Sequence, residues 1–232
     1  MPIVPLQSWL RLQAVLWLPV LTAIALDPGA SPRWRAPIVL AVLVAYAALL
    51  AILSAGRRIA DVITCVRLLG VANVLYHGAL AFPVWAWLAA LGVVLLDLAD
   101  GAIARRFGPT PQGAVLDMET DQFTVMALAM LVVWHGGAPH VLILPGLRYV
   151  FVLAMWWVGA PAHDPKPVDG DNRRGRLICA AVVVALLVAL WPDVVGLPRD
   201  LVTAVAVALL AYSFTGDALF LVRHRRAVRS RA

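Results

Sequence analysis

Four aspartates set in otherwise apolar sequence are the residues of this chain best suited to do chemistry. They form a close group among only 13 acidic residues: Asp97, Asp100, Asp117 and Asp121. A carboxylate at membrane depth costs on the order of 3 kcal/mol, so it normally faces a polar cavity and has a partner. Because four such charges around one cavity would repel one another, the group predicts a bound divalent cation. Oxygen ligands favour Mg²⁺ or Mn²⁺ over zinc.

The spacing of the aspartates places them on the faces of two helices. Asp97 and Asp100 are three residues apart, and Asp117 and Asp121 are four apart, so each pair shares one face. Small residues continue these faces and leave the backbone open to a phosphorylated ligand: Gly101, Ala104 and Gly113. Glu119 points to another side of its helix, and we leave it out of the predicted site.

The string from residue 97 to residue 121 resembles the signature of the CDP-alcohol phosphotransferase family. The sequence reads D-L-A-D-G-A-I-A-R, then seven residues, then G-A-V-L-D-M-E-T-D. The family pattern is D-x2-D-G-x2-A-R, a spacer of seven or eight residues, and G-x3-D-x3-D. All the fixed positions match, and so does the spacer.

The resemblance implies a homodimeric enzyme that transfers a substituted phosphate group from a CDP-alcohol, in a cavity open to the cytoplasm. It implies two divalent ions, Mg²⁺ or Mn²⁺, with Asp97, Asp100 and Asp117 holding metal and the nucleotide diphosphate. Asp121 matches the aspartate that helps bind the second metal and is the general base. Other positions match those near the nucleotide: Gly101, Ala104, Arg105 and Gly113.

Asp61, Thr64 and Arg67 follow one another at three-residue steps at the start of an earlier helix. They resemble the family's N-x2-T-x2-R pattern, with Asp61 in place of asparagine. Two interpretations stay open. Asp61 and Thr64 contact the nucleotide, or they cap the helix while Arg67 extends to the membrane surface.

Arginines elsewhere could bind a phosphate-bearing acceptor. Arg148 lies in the middle of a helix, where it either lines the cavity as a phosphate ligand or pairs with an internal acid such as Asp217. A polar loop next to the predicted cavity mouth is either a phosphate site or ordinary cytoplasmic charge. Its arginines are Arg173, Arg174 and Arg176.

Membrane helices must position these residues. The 232-residue chain is 62% hydrophobic and 14% charged, which excludes an ordinary water-soluble domain. Apolar blocks of about twenty residues predict an all-α, polytopic integral membrane protein. The predicted helices cover about 9–26, 36–54, 60–81, 83–106, 111–134, 138–160, 175–191 and 199–223. With the resemblance, we expect a six-helix catalytic domain over 57–232 and two additional N-terminal transmembrane helices over 1–56.

Basic residues gather in the loops on one side of this helix path, which places both termini and the active site in the cytoplasm. The expected location is the bacterial inner membrane. The basic tail from Arg223 onward is interpreted as a contact for anionic lipids and not for nucleic acid. Cys65 and Cys179 lie in apolar segments, and we assign them no chemistry.

The leading hypothesis is transfer of a phosphatidyl group from CDP-diacylglycerol to a small hydroxylated acceptor, with glycerol 3-phosphate as the first candidate and CMP as the by-product. Such a reaction belongs to phospholipid biosynthesis. An alternative within the family is attack of a lipid alcohol on soluble CDP-choline or CDP-ethanolamine. An alternative of another class is a cation- or proton-coupled transporter, which would need neither the fixed glycines nor the spacer.

Overall fold

A computed structural model describes residues 3–29, 31–53, 59–81, 84–107, 111–157, 173–191 and 198–229. These ranges contain helices and turns and no β-strand. Their α-helices are α1 (Ile3–Leu26), α2 (Arg35–Leu53), α3 (Ile59–Gly78), α4 (Val84–Phe107), α5 (Pro111–Trp134), α6 (Ile143–Trp157), α7 (Arg173–Leu190) and α8 (Arg199–Arg229). Short 3-10 turns precede α2 and α6, at Ser31–Trp34 and Pro139–Leu142.

The predicted all-α class is confirmed, and the main differences from the predicted helices lie at their ends. Helix α1 begins at Ile3 instead of residue 9, because Pro5 lies in the first turn, where a missing N–H group is tolerated. Helix α6 is shorter than predicted, since Pro139–Leu142 form a separate 3-10 turn. Helix α8 continues past residue 223 to Arg229 through arginine and alanine, which are good helix formers.

Among the described residues, four helices are long and apolar enough to cross a membrane, within Pro5–Leu26, Arg35–Leu53, Pro139–Trp157 and Arg199–Gly216. Two shorter apolar stretches lie in α4 and α7, at Val84–Asp97 and Leu177–Leu190. The chain is therefore an integral membrane protein. Its division into a six-helix domain and two additional helices stays a prediction, as do the domain limits.

Helix α5 lies at the centre of the packed bundle. Its side chains from Met126 to Val133 are all buried, and α3, α6 and α7 pack against it. Helix α3 packs against both α4 and α5, so it can bring residues of all three together. Helices α3 and α4 approach each other closely at Gly70. A Cβ atom added there would lie only 2.7 Å from Cγ2 of Val93.

Polar contacts fix the end of α5 that follows Trp134. Gly136 has φ +86°, and hydrogen bonds from its N–H and from the next N–H to carbonyls of the last turn close the helix. Arg199 donates to the carbonyl oxygens of Ala189 at 2.8 Å and of His135 at 2.5 Å. His135 donates from Nε2 to the carbonyl oxygen of Gly78 at 2.6 Å. The ends of α3, α5 and α7 are thereby joined to the start of α8.

Candidate metal and nucleotide site

Three of the four predicted aspartates come together at one point of the bundle. Asp97 lies on α4, and Asp117 and Asp121 lie one turn apart on α5. One carboxylate oxygen from each lies within 4.8 Å of the others. The three side chains are 41%, 46% and 49% exposed, so a ligand can reach them. The side chain of Asp100 lies outside the described residues.

A buried arginine of α3 binds all three carboxylates. The Nη2 atom of Arg67 lies 2.8 Å from Oδ1 of Asp97 and 2.6 Å from Oδ1 of Asp121, and its Nη1 atom lies 2.8 Å from Oδ1 of Asp117. Only 2% of the arginine side chain is exposed. The interpretation in which Arg67 extends to the membrane surface is therefore wrong. Helix α3 supplies the counter-charge because it packs against both acidic helices.

The arrangement of the carboxylates fits a divalent cation. The donor atoms are all oxygens, which Mg²⁺ and Mn²⁺ prefer. Oxygens bound to one Mg²⁺ lie about 3.0 Å apart when adjacent and about 4.2 Å apart when opposite, so carboxylates whose oxygens lie within 4.8 Å of one another would move closer together to share an ion. With one guanidinium and three ionised carboxylates, these four side chains carry a net charge of −2. A single divalent ion would balance that charge.

Two predicted nucleotide residues precede Arg67 on the same helix, α3. Asp61 and Thr64 are 7% and 3% exposed, and they precede Arg67 at the three-residue steps of one helix face. Asp61 is also in the first turn of α3, where a carboxylate stabilises the helix by its interaction with the positive end of the helix dipole. Nucleotide contact and helix capping thus both stay open. The surroundings of three further predicted residues, Gly101, Ala104 and Arg105, lie outside the described side chains.

Arg148 of α6 has an internal acid as its partner, and that acid is Glu119. Its Nη2 atom lies 2.5 Å from Oε1 of Glu119, and the two side chains are 13% and 5% exposed. The sequence favours an internal acid such as Asp217 as one possible partner, and the side chain of Asp217 lies outside the described residues. Glu119, which is not part of the predicted site, is the acid that Arg148 contacts. The side chains of Arg173, Arg174 and Arg176 lie outside them as well. A phosphate role for the four arginines stays a prediction.

Fold and site together define a helical integral membrane protein with an acidic centre in which three carboxylates contact one buried arginine. The family model for CDP-alcohol phosphatidyltransferase matches residues 57–215, more than half of the chain. Comparison of the chain with curated proteins and with solved structures found no match. The chain belongs to the CDP-alcohol phosphatidyltransferase family, and its activity is transfer of a phosphate-linked group from a CDP-alcohol to an alcohol. It is thus a transferase and not the transporter considered above.

Proposed function

We propose that the protein transfers the phosphatidyl group of CDP-diacylglycerol to a small hydroxylated acceptor, such as glycerol 3-phosphate, and releases CMP. The observation that carries this proposal is the half-exposed cluster of Asp97, Asp117 and Asp121 around Arg67. A pyrophosphate brings two negative charges to such a cluster, so it can bind only with added cations. Apolar helices around the cluster suit a donor that carries acyl chains.

Mg²⁺ or Mn²⁺ would be held by Asp97, Asp100 and Asp117, with Asp121 as a further ligand. When bound, two such ions neutralise the pyrophosphate and stabilise the departing CMP. Gly101, Ala104 and Gly113 would leave room beside these carboxylates for the nucleotide. Arg105, Asp61 and Thr64 would contact its cytidine diphosphate part.

Asp121 would remove the proton of the acceptor hydroxyl. The acceptor oxygen then forms a bond to the phosphatidyl phosphorus, the bond from this phosphorus to the bridging oxygen breaks, and CMP leaves with the electron pair. The hydroxyl proton moves to the Asp121 carboxylate. Arg67 donates to the same carboxylate and fixes its direction. The reaction needs no covalent enzyme intermediate.

A phosphate-bearing acceptor would bind to arginines at the cytoplasmic side. The first turn of α7 contains three of them, Arg173, Arg174 and Arg176. Guanidinium groups bind phosphate oxygens in pairs, which suits glycerol 3-phosphate better than an uncharged alcohol. Arg148 would take part only through a change of its pairing with Glu119. We further propose a homodimer in the bacterial inner membrane, with this site facing the cytoplasm.

Incubation of the purified protein in detergent with labelled CDP-diacylglycerol and a panel of acceptors tests the proposal. The readouts are CMP and the lipid product, and Asp121→Asn is the inactive control. We expect release with Mg²⁺ or Mn²⁺, a loss of release in excess chelator, and dependence on one acceptor. Release from CDP-choline or CDP-ethanolamine with a lipid alcohol, and none from CDP-diacylglycerol, would contradict the proposed donor. Full activity in excess chelator would contradict the metal site.

A further inference from the structure

The side of α5 that faces away from the aspartates is held by an N-terminal helix. The hydroxyl of Tyr46, on α2, donates a hydrogen bond to the backbone carbonyl oxygen of Glu119. Tyr46 is buried, with 6% of its surface exposed. A carbonyl oxygen has two lone pairs, so it can accept this bond beside the one from the helix ladder. The contact therefore fixes α5 from outside without breaking the helix.

Helix α1 in turn holds Tyr46 in place. Nε1 of Trp9 donates to the carbonyl oxygen of Ala45 at 2.9 Å. The rings of Trp9 and Tyr46 meet edge to face with centroids 6.4 Å apart, and the rings of Tyr46 and Phe123 lie 6.1 Å apart. These separations are typical of favourable aromatic pairs. The three rings form a continuous buried contact from α1 through α2 to α5.

Helix α6 holds the same segment of α5 through a second pair of contacts. Besides the ion pair of Arg148 with Glu119, Nε2 of Gln122 donates to the carbonyl oxygen of Pro145 at 3.0 Å. Successive helix residues turn by about 100°, so Glu119 projects away from the aspartates that stand two positions before and two after it. Contacts at Glu119 therefore fix the turn that carries Asp117 and Asp121, both in its position along the axis of α5 and in its rotation about that axis.

We propose that α1 and α2 are a positioning element of the active site, with Tyr46 as the positioning residue that holds α5 at the height where Asp117 and Asp121 meet Asp97. The inference rests on the proposed function, because the carboxylates it positions are those assigned to metal. It gives the helices that precede the family match at residue 57 a role in the reaction.

The test compares Tyr46→Phe with Tyr149→Phe in the purified full-length protein. Tyr149 is a matched control because it is also 6% exposed and lines the same gap beside α5. Its hydroxyl donates to an α5 side chain, the sulfur of Met126 at 3.7 Å, whereas the Tyr46 hydroxyl donates to an α5 backbone carbonyl. Mn²⁺ affinity is measured by electron paramagnetic resonance, and kcat and KM for CDP-diacylglycerol by CMP release.

We expect Tyr46→Phe to weaken Mn²⁺ binding by about tenfold, the low end for residues that orient metal ligands, and to lower kcat. Tyr149→Phe should leave both values unchanged. Equal Mn²⁺ affinity in the two variants would overturn the inference alone. Failure of the wild-type protein to bind Mn²⁺ would overturn the proposed metal site as well. Absence of CMP release from every donor, with Mn²⁺ binding intact, would overturn only the proposed reaction.

A second variant keeps the test decisive if Tyr46→Phe folds poorly. Replacement of the buried ion pair by Glu119→Gln with Arg148→Gln retains two groups that can hydrogen-bond and leaves no single charge behind. We expect this double variant to weaken Mn²⁺ binding at temperatures well below its melting point. A double variant with wild-type Mn²⁺ affinity and kcat would show that the ion pair of Arg148 with Glu119 does not position the aspartates.

Discussion

At the residue scale, one guanidinium organises the acidic centre. Arg67 joins carboxylates from two other helices, which would otherwise repel one another. The planar guanidinium offers several N–H groups in fixed directions, so one side chain can bind three carboxylates at once. The cluster thus has a protein counter-ion of its own, and a divalent cation must bind to carboxylates that are already partly neutralised.

Replacing Arg67 with alanine should make the stability of the protein depend more strongly on metal. Removing one partner of a fully buried ion pair costs about 3–5 kcal/mol. We expect a loss of about 2 kcal/mol here, because the carboxylates are nearly half exposed and water screens their repulsion. In chelator, Arg67→Ala should melt below the wild type, and Mg²⁺ or Mn²⁺ should recover most of the difference.

The matched variant for this experiment is Arg67→Lys, which keeps the charge and loses the planar geometry. Its melting temperature in chelator should lie between those of the wild type and Arg67→Ala. Thermal melting with and without metal measures all three proteins. Equal metal-induced shifts in the wild type and Arg67→Ala would show that the arginine and the metal do not share these carboxylates.

Asp121→Asn should separate proton removal from binding. Asparagine keeps the shape and one oxygen but has almost no basicity, so kcat should fall about a hundredfold or more while donor binding survives in part. Asp117→Asn should weaken metal and nucleotide binding as well. Separate titrations of metal and donor measure these effects. Recovery of wild-type turnover in Asp121→Asn by saturating metal alone would mean that Asp121 is a ligand and not the base.

The sequence was sufficient to predict the carboxylates but not their partner. The three- and four-residue spacings of the aspartates define helix faces, and three of these side chains do meet. Arg67 was assigned no such contact, because spacing within one helix does not say which helix stands opposite. A usable signal was present, since an arginine deep in an apolar helix needs an acidic partner. The same rule applies to Arg148 and Glu119.

At the element scale, the distance between α3 and α4 controls the acidic centre. Gly70 lies one turn after Arg67, and Val93 lies one turn before Asp97. An added Cβ atom at Gly70 would lie 2.7 Å from Cγ2 of Val93, which is closer than such atoms can approach. Because valine is stiff at χ1, we expect the two helices to move apart. The contact between Arg67 and Asp97 would then lengthen.

Gly70→Ala should therefore lower turnover far more than a glycine substitution on the other helix. A displacement of about 1 Å can cost on the order of a hundredfold in rate, and we expect at least a tenfold loss of kcat/KM. The control is Gly92→Ala on α4, where an added Cβ atom meets nothing within 4 Å. CMP release measures both variants. Equal activity of the two would show that the spacing of α3 and α4 does not set the site.

Sequence patterns predicted where the helices lie in the chain better than which helices pack against each other. The helix predicted over 111–134 ends where α5 ends, and the positive φ of Gly136 closes its last turn. The pattern could not show that α2 reaches the back of α5, since Tyr46 is 73 positions before Glu119. Such contacts depend on how whole helices pack. An apolar transmembrane sequence carries little information about this, because lipid-facing and protein-facing residues are alike.

At the scale of the whole molecule, the two ends of the bundle differ in their polar groups. The remote end of α5 is joined to α8 through Arg199, which is bound to the carbonyl oxygens of Ala189 and His135. Most of the remaining Lys and Arg residues belong to the helix ends and connections at the opposite end, which favours that end for the cytoplasm. The acidic centre would then receive soluble acceptors from the cytoplasmic side.

Reporter fusions in a bacterial host should give this orientation directly. Green fluorescent protein at either terminus should be fluorescent, because it folds in the cytoplasm. Alkaline phosphatase should be active when fused after Gly29 or after Gly137, since these turns follow α1 and α5 at the other side of the membrane. Each phosphatase fusion is matched by a fluorescent fusion at the same residue, which should be dark. If phosphatase is active at the C-terminus and inactive after Gly137, the orientation is reversed, and a cytoplasmic acceptor could not reach Asp121.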